Sequence, residues 1–384
     1  MKTIYLDNNA TTMVSPEVVD AMNPFFNDLW GNPSSMHSFG GQVRSYVEEA
    51  RAKVASLIGA DPEEIIFTSC GSESDNMAIR GILESAGKPR HIITTVVEHP
   101  AVLSICSYLS SQGHRLSKLE CDTQGHFDLN QFRECIANDT ALVSVMWANN
   151  ETGVVSPIED MAQIAKEAGV MFHTDAVQAI GKISINVKQT PVDLLSLSGH
   201  KFHAPKGIGA LYIKKGTKIN PLIYGGHQES GMRAGTENVP YIVGLGCACE
   251  RAAQSIENDT QRITALRDHL EAGILKACSH VRVNGDPKHR LPNTLNISFE
   301  HINANEIVHK LNDRGIAVSA GAACTAGSLK ISHVMNAMGV PFPMARGTIR
   351  LSLSTYTTRE EIDCVLEHLP RIINQLRDQN RKKF

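Results

Sequence analysis

The chain has 384 residues, 42% of them hydrophobic and 20% charged, the composition of a globular protein long enough for two domains. Thirty-seven basic against 40 acidic side chains give a formal charge of -3, which excludes a field built to hold nucleic acid or an anionic membrane. Nine cysteines, an odd number with no Cys-x-x-Cys pair, speak against a disulfide framework.

The opening Met1-Lys2-Thr3-Ile4-Tyr5-Leu6-Asp7 places an acid where a signal peptide carries its apolar run, and no later stretch reaches membrane-spanning length. A cytoplasmic location is therefore expected. Val43, Val47, Ala50, Val54 and Leu57 recur at helical spacing, the mark of a helix covering a sheet. Strands are predicted at Glu64 to Thr68, His91 to Val96, Arg115 to Leu119, Leu142 to Met146, Val170 to Thr174, Leu194 to Leu197 and Gly209 to Ile213, alternating with helical patterns. Such alternation predicts an α/β fold with a mainly parallel sheet. A long helix from about Tyr241 to Cys278 leads to strands at Thr294 to Phe299, Ala317 to Ala320 and Thr348 to Ser352, then to a closing helix from Thr358. The expected division is a large domain over 14–255 and a smaller α+β domain from 1–13 with 256–384. Cys247 and Cys249 read as small core residues of the long helix.

Ligands of open α/β sheets bind beyond the carboxyl ends of strands, and the chemistry-bearing residues of this chain cluster there. Ser69-Cys70-Gly71-Ser72-Glu73-Ser74 follows one strand and opens a helix; its amides and the Ser72 hydroxyl could cradle a phosphate, or the segment could be a bare helix cap. His99 follows the next strand, as an acid or base or as a structural histidine. Asn149-Asn150-Glu151-Thr152-Gly153 and Asp175 follow two more. Ser198-Gly199-His200-Lys201 follows the strand Leu194 to Leu197. A lysine so placed can form a Schiff base with pyridoxal phosphate, Asp175 can pair with the ring nitrogen, and Gln178 can donate to the ring hydroxyl. His200-x-x-His203 has no Glu or Cys nearby to complete a ligand set, so no metal is expected.

In these motifs the chain resembles the NifS-type cysteine desulfurases, group I of the class V aminotransferases. The resemblance runs from Tyr5-Leu6-Asp7-Asn8-Asn9-Ala10-Thr11-Thr12 through Gly31 to Ser35, Glu98 to Val102, His173 to Gln178, Ser198 to His203 and Arg233 to Asn238, and reaches Arg350-Leu351-Ser352-Leu353-Ser354. It implies a fold-type-I pyridoxal-phosphate enzyme with a seven-stranded large domain, working as a homodimer with its sites at the interface. It also implies roles: Lys201 as the Schiff-base lysine, Asp175 and Gln178 on the ring, and His99 stacked over it. Gly71, Ser72, Ser198 and His200 would hold the phosphate, with Thr236 reaching in from the other subunit. Asn149 and Arg350 would receive the substrate carboxylate, which suits a planar guanidinium.

Cys324, in Ser319-Ala320-Gly321-Ala322-Ala323-Cys324-Thr325-Ala326-Gly327, matches the family's persulfide-forming cysteine. Flanking glycines permit a loop whose tip could sweep roughly 20 Å at full extension. The implied reaction converts L-cysteine to L-alanine: Lys201 moves the Cα proton, and the Cys324 thiolate takes the sulfur for delivery to a NifU-like iron-sulfur scaffold. Selenocysteine lyase or aminotransferase chemistry on the same site is the alternative, and a catalytically silent sulfur-trafficking subunit is another. Ala320 and Ala322 stand where the family commonly has serines, and Ser72 where it has threonine. The ending Arg381-Lys382-Lys383-Phe384 is read as favouring the NifS subtype over relatives with longer tails.

Overall fold

A computed structural model describes residues 3–320 and 331–381; Cys324 lies outside the described residues. In chain order the strands are β1 (Ile4–Tyr5), β2 (Ile65–Thr68), β3 (His91–Thr95), β4 (Arg115–Leu119), β5 (Thr140–Ser144), β6 (Met171–Asp175), β7 (Leu194–Ser198), β8 (Gly209–Ile213), β9 (Val281–Val283), β10 (Thr294–Phe299), β11 (Ile316–Ala317), β12 (Ser319–Ala320) and β13 (Thr348–Ser352).

Seven of them form one sheet in the order β2-β8-β7-β6-β5-β3-β4. β8 runs antiparallel to both neighbours, and the remaining pairs are parallel. Every residue of β2, β3 and β7 is buried, as parallel strands must be when helices cover both faces. One face is covered by Ser38–Ile58 among others, with Val43, Val47, Ala50 and Val54 in the core; Ile58 rather than the half-buried Leu57 continues that stripe. The helices Gly71–Ser85 and Pro100–Ser111 cover the other face through Met77, Ile79, Ile82, Val102 and Leu109.

A second, antiparallel sheet has the order β12-β13-β10-β9, and its own core joins Leu6, Ile297, Leu351, Ile362 and Leu369. The stretch read as one strand, Ala317 to Ala320, divides: Ile316–Ala317 pairs in parallel with β1, whereas Ser319–Ala320 pairs with β13. The helix Val239–Ala277 spans both cores. Its first half buries Val239, Ile242 and Leu245 against the large sheet's cluster, and its second half buries Ile263, Leu270 and Ile274 in the smaller one. Val334, Met335 and Met338 pack with the larger cluster. No helix among the described residues is long and apolar enough to cross a membrane.

Candidate active site

The parallel strands β2, β3, β5, β6 and β7 end on one edge of the sheet, and their exits converge there on a cavity of about 320 Å³. Gly71, Ser72, His99, Asp175, Gln178, Ser198, His200, Lys201 and Arg350 all line it. A larger cleft, of about 540 Å³, lies beside the Arg51–Glu229 ion pair. It has no lysine on its wall, and the chemistry is therefore assigned to the smaller cavity.

β7 leads into the short turn Gly199–Lys201, which throws Lys201 across to the N-terminal segment. Its Nζ donates to the carbonyls of Asn9 at 2.7 Å and Ala10 at 2.8 Å. Burial, with help from Arg350, holds the amine at about 8, against the opposing pull of Asp175 and Asp7. A substantial neutral fraction near physiological pH makes it both nucleophile and base. Asp175, the last residue of β6, is buried and accepts from the Val177 amide at 2.9 Å. Burial pushes its carboxyl up to about 6, opposed by that amide and by Lys201; a cationic partner on the ligand would restore the ionised form.

At the end of β2 the helix Gly71–Ser85 begins with no side-chain cap, leaving amides free to meet an anion. A Cβ at Gly71 would lie 2.7 Å from Val177 Cγ2 and 3.5 Å from the Cβ of Ser198, so only glycine lets the helix start this close to β7. Among the described residues the buried Ser198 hydroxyl has no partner, a costly state unless a ligand atom reaches it. His200 bonds Thr11 Oγ1 through Nδ1 at 3.1 Å and is pushed down to about 4, first by burial and then by Lys201, Lys206 and Lys182. An uncapped helix, an orphaned hydroxyl and a buried carboxylate opposite a lysine fit the phosphate, ring and aldehyde of pyridoxal phosphate.

His99 caps the helix Pro100–Ser111, its Nδ1 accepting from the Ala101 amide at 3.1 Å. Neutral His99 therefore carries its proton on Nε2 and is a donor there. Burial, Lys201 and His333 all lower its pKa and keep the ring neutral.

Asn149 and Thr236 do not line this cavity. Asn149 is buried, and its side chain is consumed by its own loop: Nδ2 donates to Val97 O, and Oδ1 accepts from the amides of Glu151 and Thr152. Asn150 lines the cavity in its place. Thr236 is exposed and does not line its own chain's cavity.

Sequence reasoning missed three groups. Asp75 lines the cavity fully buried, its carboxyl raised by burial and by Asp175; the signal was an acid on a helix face otherwise made of Ala78, Ile79 and Ile82. Lys182 is half-buried and donates to Gln178 Oε1 at 2.8 Å, which turns the Gln178 amide so that Nε2 donates to Asn9 O at 2.9 Å. Asp7 pairs with Arg350 at 2.7 Å.

The sequence matches the Aminotransferase class-V family over residues 4–365. It is 55% identical over 379 residues to the cysteine desulfurase NifS of Azotobacter vinelandii, covering 98% of this chain and 94% of that one. Among solved structures, a NifS-like protein superposes with a TM-score of 0.92 at 40% identity, over 97% of this chain and 100% of the other. Another, described as SspA in complex with cysteine, gives a TM-score of 0.82 at 36% identity, over 93% of this chain and 100% of that one.

Proposed function

The chain belongs to the Aminotransferase class-V family, and from that membership we propose that it is a cysteine desulfurase, converting L-cysteine to L-alanine and passing the sulfur onward. The single observation that carries this reading is the cavity itself, which holds a lysine of lowered pKa, a buried aspartate and, among the described residues, an orphaned serine hydroxyl on converging strand ends.

Gly71, Ser72, Ser198 and His200 would hold the phosphate of pyridoxal phosphate, Asp175 its ring nitrogen and Gln178 its ring oxygen. When bound, that group supplies an aldehyde for amine capture and a sink for the electron pair released at the substrate Cα. Lys201, in its neutral form, takes the Cα proton and returns it along the chain of protonations that ends in alanine. Arg350 receives the carboxylate. His99, a donor at Nε2, hydrogen-bonds the substrate sulfur, whose proton stays on it as it is transferred. The Cys324 thiolate attacks the substrate sulfur; a sulfur-sulfur bond forms, the carbon-sulfur bond breaks, and the released electron pair stays with the organic fragment. The resulting persulfide carries the sulfur in an iron-sulfur assembly role, with a NifU-like scaffold as acceptor, in the cytoplasm and in a homodimer.

Purified protein supplied with L-cysteine and excess thiol is expected to release alanine and sulfide in equal amounts, the thiol being oxidised to its disulfide, without any keto acid. A requirement for a keto acid, or activity confined to selenocysteine, sinks this reading.

A further inference from the structure

Outside the lining of that cavity, two loops bring together three side chains that no step above uses. His126 Nε2 lies 3.0 Å from Asp286 Oδ2, and His289 Nδ1 lies 2.6 Å from the same oxygen. All three ligand atoms fall within 4.8 Å of one another. Two imidazoles and one carboxylate form a donor set suited to zinc. In a tetrahedral site with bonds of about 2.0–2.1 Å, neighbouring donors stand roughly 3.3 Å apart, so the present spacing needs only a small opening.

The outer partners of such a site are also in place. Asp122 Oδ2 lies 3.4 Å from His126 Nδ1, on the ring edge away from Asp286. Asp286 Oδ1 accepts from the Lys288 amide at 2.7 Å, fixing the carboxylate plane. A carboxylate behind one histidine and an amide behind the acid are the contacts that orient metal ligands. Both loops are held by their own backbone. Asp122 Oδ1 accepts from the amides of Gln124 and His126. On the other side, Gly285 takes a φ of +96° where a Cβ would meet Val154 Cγ2 at 2.8 Å. Asp286 is 7% exposed, and His289, at 74%, leaves the position open to water.

We propose that His126, Asp286 and His289 bind a zinc ion, with water as the fourth ligand. Each imidazole binds as a neutral ligand through the nitrogen that now faces Asp286, with the other ring nitrogen protonated toward Asp122 in His126 and toward solvent in His289. The ion would tie the 122–126 turn to the 284–290 loop. That loop is stitched to the active-site segment by Val155 N to His289 O at 2.9 Å and Leu291 N to Gly153 O at 2.8 Å. The inference is independent of the proposed desulfurase reading.

The test is zinc competition against a chromophoric chelator on chelator-stripped holoprotein, with cobalt as a spectroscopic probe. Because nine cysteines offer competing thiols, the site is read as a difference between wild type and the His126→Ala and His289→Ala variants. Expected are one fewer zinc per chain, or at least a tenfold loss of affinity, in each variant. Wild type alone should show a tetrahedral cobalt band without thiolate charge transfer and a zinc-dependent rise in Tm. Equal zinc uptake and affinity in wild type and variants, or no uptake by wild type, overturns the proposal. If His126→Ala fails to fold, the exposed His289→Ala decides alone, since its removal leaves the core untouched.

Discussion

Arg350 Nη2 donates to Asp7 Oδ1 at 2.7 Å while Nη1 donates to the Asn150 carbonyl at 2.9 Å, leaving the buried Nε without a partner among the described residues. The cation that would receive a substrate carboxylate is thus held in place from β1's end and from the loop after β5 before any substrate arrives. Preorganisation of this kind lowers the ordering cost of binding.

Arg350→Ala is expected to raise the cysteine KM roughly 10–100-fold, the worth of about 1.5–3 kcal/mol for hydrogen bonds to a charged group, with the cofactor spectrum unaltered. Asp7→Asn, which keeps the contact's shape but not its charge, should change KM by less. Steady-state kinetics on both variants decide, and an unchanged KM in Arg350→Ala removes that residue from the site.

Lys201 should react with aldehydes as though its amine titrates near 8, more than two pH units below an exposed lysine at about 10.4. Only the neutral amine adds to a carbonyl. Cofactor-free protein is therefore expected to capture pyridoxal phosphate faster as pH rises, levelling off above about pH 8. A rate still climbing at pH 10 contradicts the assignment. Lys201→Ala should fold but give no borohydride-reducible adduct at this position.

Cys324→Ser should bind the cofactor and respond spectrally to cysteine, yet form no protein persulfide, since a hydroxyl is far less nucleophilic than a thiolate. Persulfide alkylation followed by peptide mass spectrometry reads this directly. Undiminished alanine and sulfide release would move the protein to the lyase alternative.

Thr236 is exposed on its own chain, and its proposed place is the phosphate of a second copy. Lys201→Ala and Thr236→Asp, each inactive alone, should then complement in a mixed dimer. One of its two sites would combine an intact Lys201 with an intact Thr236. Activity is measured on dual-tag-purified mixed dimers with cofactor content verified; complete inactivity rejects a shared site.

Much of the architecture is readable from local pattern. Buried β-branched and leucine runs mark β3, β5 and β7, and the polar residues at the ends of β6 and β7 locate Asp175, Ser198 and Lys201, because a residue at a strand's carboxyl end has few places to go. What escaped depends on partners distant in the chain. One stretch from Ala317 to Ala320 looks uniform, yet its two halves pair with different strands, β1 and β13, since a strand's neighbour is chosen by the whole packing and not by its own propensity. Asn149 and Asn150 are adjacent and alike, and only the turn that engages the Asn149 side chain leaves Asn150 on the cavity wall. The Asp7–Arg350 pair and the Gln178–Asn9 contact likewise require the large sheet, the smaller sheet and the N-terminal segment to be docked together. The sequence by itself determined the order of elements and the chemical types at the strand ends. Tertiary structure decided which of those side chains face one another, because burial and hydrogen-bond competition act on neighbours in space.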